Sequence, residues 1–177
     1  MKNFIMLLTY SRIFFGPLIF VLSVFFEMYL ASLIVFIVCS VSDFLDGYLA
    51  RKFHLESSLG KLFDPIADKM LLCSTVISII LISKDYFIGL MGMLILLREF
   101  WVSGLREYSA LNQMKSASDV TYLAKIKTTL QFIAIGSFYY SFSLDLSLGI
   151  FLSSFVLFLS LLISIKTGMQ YTKNILN

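Results

Sequence analysis

The sequence predicts an all-α integral membrane protein of six transmembrane helices, with room for a short N-terminal interfacial helix. Three observations lead there. Of 177 residues, 59% are hydrophobic and only 14% are charged, against roughly 45–50% and roughly 25% in soluble domains. Mean hydropathy is +0.90. The apolar residues lie in runs close to the roughly 20 residues a helix needs to cross a bilayer. Only short polar connections separate these runs, so residues 1–177 read as a single membrane domain. The net charge of +3 comes without a basic run, so nucleic acid is not an expected partner.

Met1 to Phe26 is apolar but interrupted. Lys2 before a hydrophobic run has the start of a signal peptide, but no small-residue cleavage site follows. Phe4–Leu8 reads as an interfacial segment and Thr9–Phe26 as the first span, with Pro17 a site for a kink. Arg12 lies near one membrane face, as a snorkelling anchor or as an anion ligand at the mouth of a site. Tyr29–Ala50 is the second span. Arg51–Gly60 is a polar linker in which the lone His54 is a solvated loop residue. Lys61–Ser83 holds the third span, and Lys84-Asp85 is a turn. The fourth span runs from Tyr86 to about Leu105, where Gly89 and Gly92 permit close helix packing. Around its end lie Arg98, Glu99, Arg106 and Glu107. Leu111–Val120 is a polar loop. Tyr122–Phe142 is the fifth span, entered through Lys125 and Lys127, and Leu148–Ile165, without an ionisable residue, is the sixth. Cys39 and Cys73 lie in apolar segments and read as buried thiols, not a disulfide.

Charge placement orients the spans. The N-terminus, the linker at 51–61, the loop around 106–127 and the C-terminus share one face. They carry Lys2, Arg12, Arg51, Lys52, Lys61, Arg106, Lys115, Lys125, Lys127, Lys166 and Lys173, while the opposite face holds only Lys84. The positive-inside rule makes the first face cytoplasmic.

The stretch from Asp43 to Asp68 is the exception to the apolar pattern. Asp43, Asp46, Gly47 and Ala50 fall at i, i+3, i+4 and i+7, one face of a helix. Asp64 and Asp68 fall at i and i+4 on the next helix, with Asp64-Pro65 in the order of an N-cap and first helical residue. A linker of about nine residues predicts that the two helices are antiparallel neighbours. Carboxylates near lipid are costly, so four together need compensation. A set of hard oxygen ligands suits Mg²⁺ or Mn²⁺ better than zinc. Gly47, Ala50 and Gly60 leave room for a ligand beside the backbone, and Arg51 stands ready for phosphate. Arg12, Arg98, Arg106, Lys125 and Lys127 lie on the same predicted face. Acids with several cations suit a metal-bound phosphate and a second anion, hence phosphoryl transfer. The acids alone would also suit a cation-coupled transporter.

The string D-x2-D-G-x2-A-R-x8-G-x3-D-x3-D, complete from Asp43 to Asp68, resembles the signature of the CDP-alcohol phosphatidyltransferases. The segments Leu8-Thr9-x-Ser11-Arg12-Ile13, Arg98 to Glu107 and Ala124 to Thr129 resemble the bacterial phosphatidylglycerophosphate synthases within it. The Pro-Asn pair common before the Leu-Thr is absent here, where the stretch is Asn3-Phe-Ile-Met-Leu-Leu-Thr9. The resemblance implies CDP-diacylglycerol and sn-glycerol 3-phosphate as substrates, a homodimer, and a multi-pass enzyme of the bacterial cytoplasmic membrane with its site on the cytoplasmic face. It implies Asp43, Asp46, Asp64 and Asp68 as ligands of two Mg²⁺ or Mn²⁺ ions, and Asp68 as general base. It implies CDP binding by Asp43, Asp46, Gly47, Ala50, Arg51, Gly60 and Asp64. The acceptor phosphate falls to Thr9, Arg12, Arg98, Arg106 and Lys125. No side-chain nucleophile accompanies the acids, so direct displacement is the expected mechanism. A sister enzyme using inositol phosphate, serine or phosphatidylglycerol is the nearest rival reading.

Overall fold

The computed structural model describes residues 2–53, 58–112 and 122–176. They form α1 Lys2–Val24, α2 Tyr29–Lys52, α3 Ser58–Ser83, α4 Tyr86–Leu111, α5 Tyr122–Ser143 and α6 Ser147–Leu176, with no strand among them. The helices match the predicted spans in number. Stretches within four of them, Tyr29–Leu49, Leu62–Ser83, Tyr86–Leu111 and Ser147–Ile175, are long and apolar enough to cross a membrane. In α1 the apolar stretch is shorter, Leu8–Val24. Lys125, Lys127 and Gln131 dilute the apolar character of α5.

The chain turns tightly between α1 and α2, between α3 and α4, and between α5 and α6. Each turn carries one non-glycine residue with positive φ: Glu27 at 54°, Lys84 at 51° and Asp145 at 51°. Asp85 caps α4, its carboxylate accepting from the backbone N–H groups of Phe87 and Ile88, which fills donors a helix start leaves open.

The sequence expectations need correction at three places. The interfacial segment Phe4–Leu8 is not separate, because α1 is continuous from Lys2 to Val24. Nothing between Leu8 and Thr9 breaks a helix, and extension of a formed helix is easier than a new nucleus. Asp64 and Pro65 do not cap α3. The helix starts at Ser58 and carries Pro65 inside it, where the ring removes one backbone donor. Finally, α2 and α3 are not packing neighbours among the described residues. The helices form a ring in the order α1, α3, α4, α6, α5, α2, with α3 also touching α5 across it. α1 is wedged between the two acid-bearing helices.

The reason lies on one face of α1. Thr9, Arg12, Gly16, Ile19 and Ser23 alternate by three and four residues, and all are buried. That spacing makes one continuous seam along a helix. Gly16 lets α3 come close: a Cβ there would lie 3.2 Å from the Met70 carbonyl oxygen and 3.3 Å from Leu71 Cα. A small residue at such a crossing is the usual device of membrane helices, which have no hydrophobic drive to pack against each other. Gly92 serves the α3–α4 contact likewise, with Val76 and Ile80 against it. Ile19, Phe36, Leu71, Ile95, Ile135, Phe138 and Leu157 belong to the common core. Polar contact also crosses it, between Ser78 of α3 and Tyr139 of α5 at 2.5 Å.

Candidate active site

Arg12 comes down the seam of α1, one turn before Gly16, and ends among the four aspartates. Its Nη1 donates to Asp43 and, at 2.8 Å, to Asp68 Oδ1. Its Nη2 donates to Asp46 Oδ2 at 2.8 Å and lies 3.6 Å from Asp64 Oδ1. Thr9, one turn earlier, donates to Asp64 Oδ1 at 2.8 Å. α1 thus joins the acid pair of α2 to the acid pair of α3.

The cluster is sealed on one side and open on another. The side chains of Arg12 and Asp46 are 0% and 4% exposed. Those of Asp43, Asp64 and Asp68 are 40%, 47% and 53% exposed. Four carboxylates and one guanidinium leave a formal charge of −3. A low-dielectric setting tolerates such an excess poorly. Among the described residues no three carboxylates are already spaced to hold a metal ion. The donor chemistry nonetheless fits Mg²⁺ or Mn²⁺: oxygen donors only, excess negative charge and an open side.

Gly47 lies on α2 one turn from Asp43, and Gly60 on α3 one turn before Asp64, so both adjoin the acids. The side chains of Ala50 and Arg51, and the whole of His54, lie outside the described residues.

The remaining cations form a second cluster. Arg98 Nε donates to the Ser164 carbonyl at 2.9 Å and Nη2 to Thr167 Oγ1 at 2.8 Å, which straps α4 to α6. Gly168 lies under the strap, where a Cβ would meet Arg98 Nε at 3.2 Å. Arg98 Nη1 donates to Glu99 Oε1 at 2.9 Å, and Lys127 of α5 donates to the same oxygen. Arg106 places its guanidinium 5.7 Å from the centre of the Tyr171 ring, and Lys125 is exposed. The contacts described for Arg98 and Arg106 therefore run along α4 and to α6, whereas those of Thr9 and Arg12 run to the aspartates. Sequence reading missed the Glu99–Lys127 pair; an acid inside an apolar span was the available signal, since it demands a partner. It also left Arg12 at the mouth of the site, not at its centre.

The chain matches the family described as CDP-alcohol phosphatidyltransferase over residues 3–166. A Rickettsia typhi protein named CDP-diacylglycerol–glycerol-3-phosphate 3-phosphatidyltransferase is 46% identical over 138 residues, covering 76% of this chain and 75% of that protein. A Rickettsia felis protein of the same name is 44% identical over 137 residues, covering 76% and 73%. A Bacillus subtilis protein, again so named, is 41% identical over 109 residues, covering 62% and 54%.

Proposed function

The chain belongs to the CDP-alcohol phosphatidyltransferase family, and from that premise we propose that it makes phosphatidylglycerophosphate and CMP from CDP-diacylglycerol and sn-glycerol 3-phosphate in phospholipid biosynthesis. The observation that carries this is the convergence of all four signature aspartates on one point, in a chain whose relatives bear that activity in their names.

In this reading Asp43, Asp46, Asp64 and Asp68 would hold two Mg²⁺ or Mn²⁺ ions. Bound there, the ions would polarise the diphosphate and neutralise the charge that develops on it. Gly47, Ala50, Arg51 and Gly60 line the CDP side. Asp68, the most exposed of the four, takes the acceptor hydroxyl proton. The acceptor oxygen forms its bond to the lipid-side phosphorus as the bond from that phosphorus to CMP breaks. Proton transfer to a placed carboxylate contributes about 10²–10⁴-fold in such steps. Thr9 and Arg12 stand beside the aspartates as ligands of the anionic acceptor, and Arg98, Arg106 and Lys125 complete that set. Arg98 would enter it as a guanidinium already held rigid by α6, and a fixed fork binds phosphate with less loss of side-chain freedom. The enzyme works as a homodimer in the bacterial cytoplasmic membrane, with its site on the cytoplasmic face where the positive charges gather.

The test is metal-dependent CMP release from CDP-diacylglycerol by the purified protein. Glycerol 3-phosphate, inositol phosphate, serine and phosphatidylglycerol are supplied separately. Release only with glycerol 3-phosphate is expected. Release with a different acceptor would keep the acidic site and overturn the roles of Arg98, Arg106 and Lys125. A folded protein unable to bind CDP would overturn the reading altogether.

A further inference from the structure

We propose that Arg12 is the built-in counter-ion of the metal-free site, and that it competes with the metal for the same carboxylates. This rests on the functional reading above and adds a second state to it. Arg12 is fully buried, and its two terminal nitrogens reach all four aspartates. Those contacts fall on Asp43 Oδ1, Asp46 Oδ2, Asp64 Oδ1 and Asp68 Oδ1, so the guanidinium fills the space toward which the two helices aim their acids. A metal ion coordinates such oxygens at about 2.0–2.2 Å, so an ion shared by these acids would need the space the guanidinium fills and would meet its like charge there.

The fold gives such a counter-ion a task. α2 and α3 have no packing interface with each other among the described residues. Without a cation between them, four like charges would drive the helices apart. Arg12 comes from the helix wedged between them and is anchored one turn away by the close crossing at Gly16. It therefore holds the acids together while the site waits for metal.

Two further observations say that this position is not a permanent resting place. Among the described residues Arg12 Nε is buried with no hydrogen-bond partner, a cost that a site shaped around an arginine would have removed. The guanidinium also leaves most of the carboxylate charge uncompensated. Asp43, Asp64 and Asp68 are 40%, 47% and 53% exposed, which gives a metal ion access to their oxygens although Arg12 is buried. Once displaced, Arg12 carries an unpaired positive charge beside a site that receives anions. Its role as anion ligand then begins when its role as counter-ion ends.

Mn²⁺ binding to the full chain in detergent, without nucleotide or acceptor, tests this through the electron paramagnetic resonance of free Mn²⁺. Wild type, Arg12→Met, Arg12→Lys and Asp46→Asn are compared, and melting temperature is followed with and without Mn²⁺. Arg12→Met is expected to bind Mn²⁺ at least about tenfold more tightly than wild type. It should melt lower without metal and gain more from Mn²⁺. Arg12→Lys keeps a charge but loses the planar fork, so it falls between, and it carries the test should Arg12→Met not fold. Asp46→Asn should bind more weakly. Equal or weaker Mn²⁺ binding in the Arg12 variants, with wild type binding normally, would overturn the competition and leave the metal site standing. Wild type that binds no Mn²⁺ would overturn both.

Discussion

Two ionic clusters lie in this bundle, one among α1, α2 and α3 and one among α4, α5 and α6. The first draws charged side chains from three helices, the second from α4 and α5 with neutral oxygens of α6, and each sets an arginine beside acid. In the first, one guanidinium faces four carboxylates, a formal charge of −3. In the second, Arg98 and Lys127 share Glu99, a formal charge of +1, and their side chains are 13%, 8% and 21% exposed. Arg98 spends its other contacts on a backbone carbonyl and a hydroxyl of α6. The second cluster is nearer to balance from the protein's own groups, so it fastens helices while keeping one positive charge that an anion can meet. The first is short of positive charge and partly open, so it calls for cations from outside. The sign and size of the residual charge, not the presence of acids and arginines, separate a site for cations from a fastening that can face an anion.

Substitutions at the two clusters should fail differently. Asp46→Asn is expected to lower CMP release by about 10³-fold, or about 4 kcal/mol of barrier. The metal-free protein should meanwhile melt no lower than wild type, because the change relieves repulsion among the acids. Activity and thermal unfolding measured on one preparation check both halves; undiminished release would remove Asp46 from the site. Glu99→Gln should do the opposite in kind. It leaves two buried cations without their anion and costs about 3 kcal/mol of stability. The paired change Glu99→Leu with Lys127→Met should regain most of that, since an apolar pair replaces an ionic one at little loss. Chemical unfolding in detergent reads this, and a single variant as stable as wild type would mean that the second cluster fastens nothing.

Gly16→Ala tests the geometry that feeds the first cluster. The added methyl meets α3 backbone, which cannot rotate away. A loss of about 1–2 kcal/mol is expected, together with reduced CMP release, because Arg12 and Thr9 shift against Asp64 and Asp68. Stability lost without any change in release would separate the seam from the site. The smallest effect should come from Lys84→Gly in the α3–α4 turn, far from both clusters along the chain. Relief of the left-handed backbone there is partly offset by the entropy of glycine, for a net gain of about 0.5 kcal/mol with activity unchanged. Thermal melting and the same CMP assay measure it.

The sequence by itself determined what is local. Composition and run length put the chain in a membrane and divided it into six helices. Helical periodicity put Asp43 with Asp46 and Asp64 with Asp68, because residues three and four apart share a face whatever surrounds the helix. Tertiary structure alone decided which helices meet. A nine-residue linker suggested that α2 and α3 pack together, yet α1 lies between them. That arrangement moved Arg12 from an expected mouth to the centre of the acids and set Lys127 against Glu99 across the helices. The linker bounds how far apart two helices can be without saying what fits between them. Here the fit came from a glycine on one helix and bare backbone on another, 54 residues apart at Gly16 and Met70. Such a match of shapes exists only once both helices are formed, and no periodicity within either one announces it.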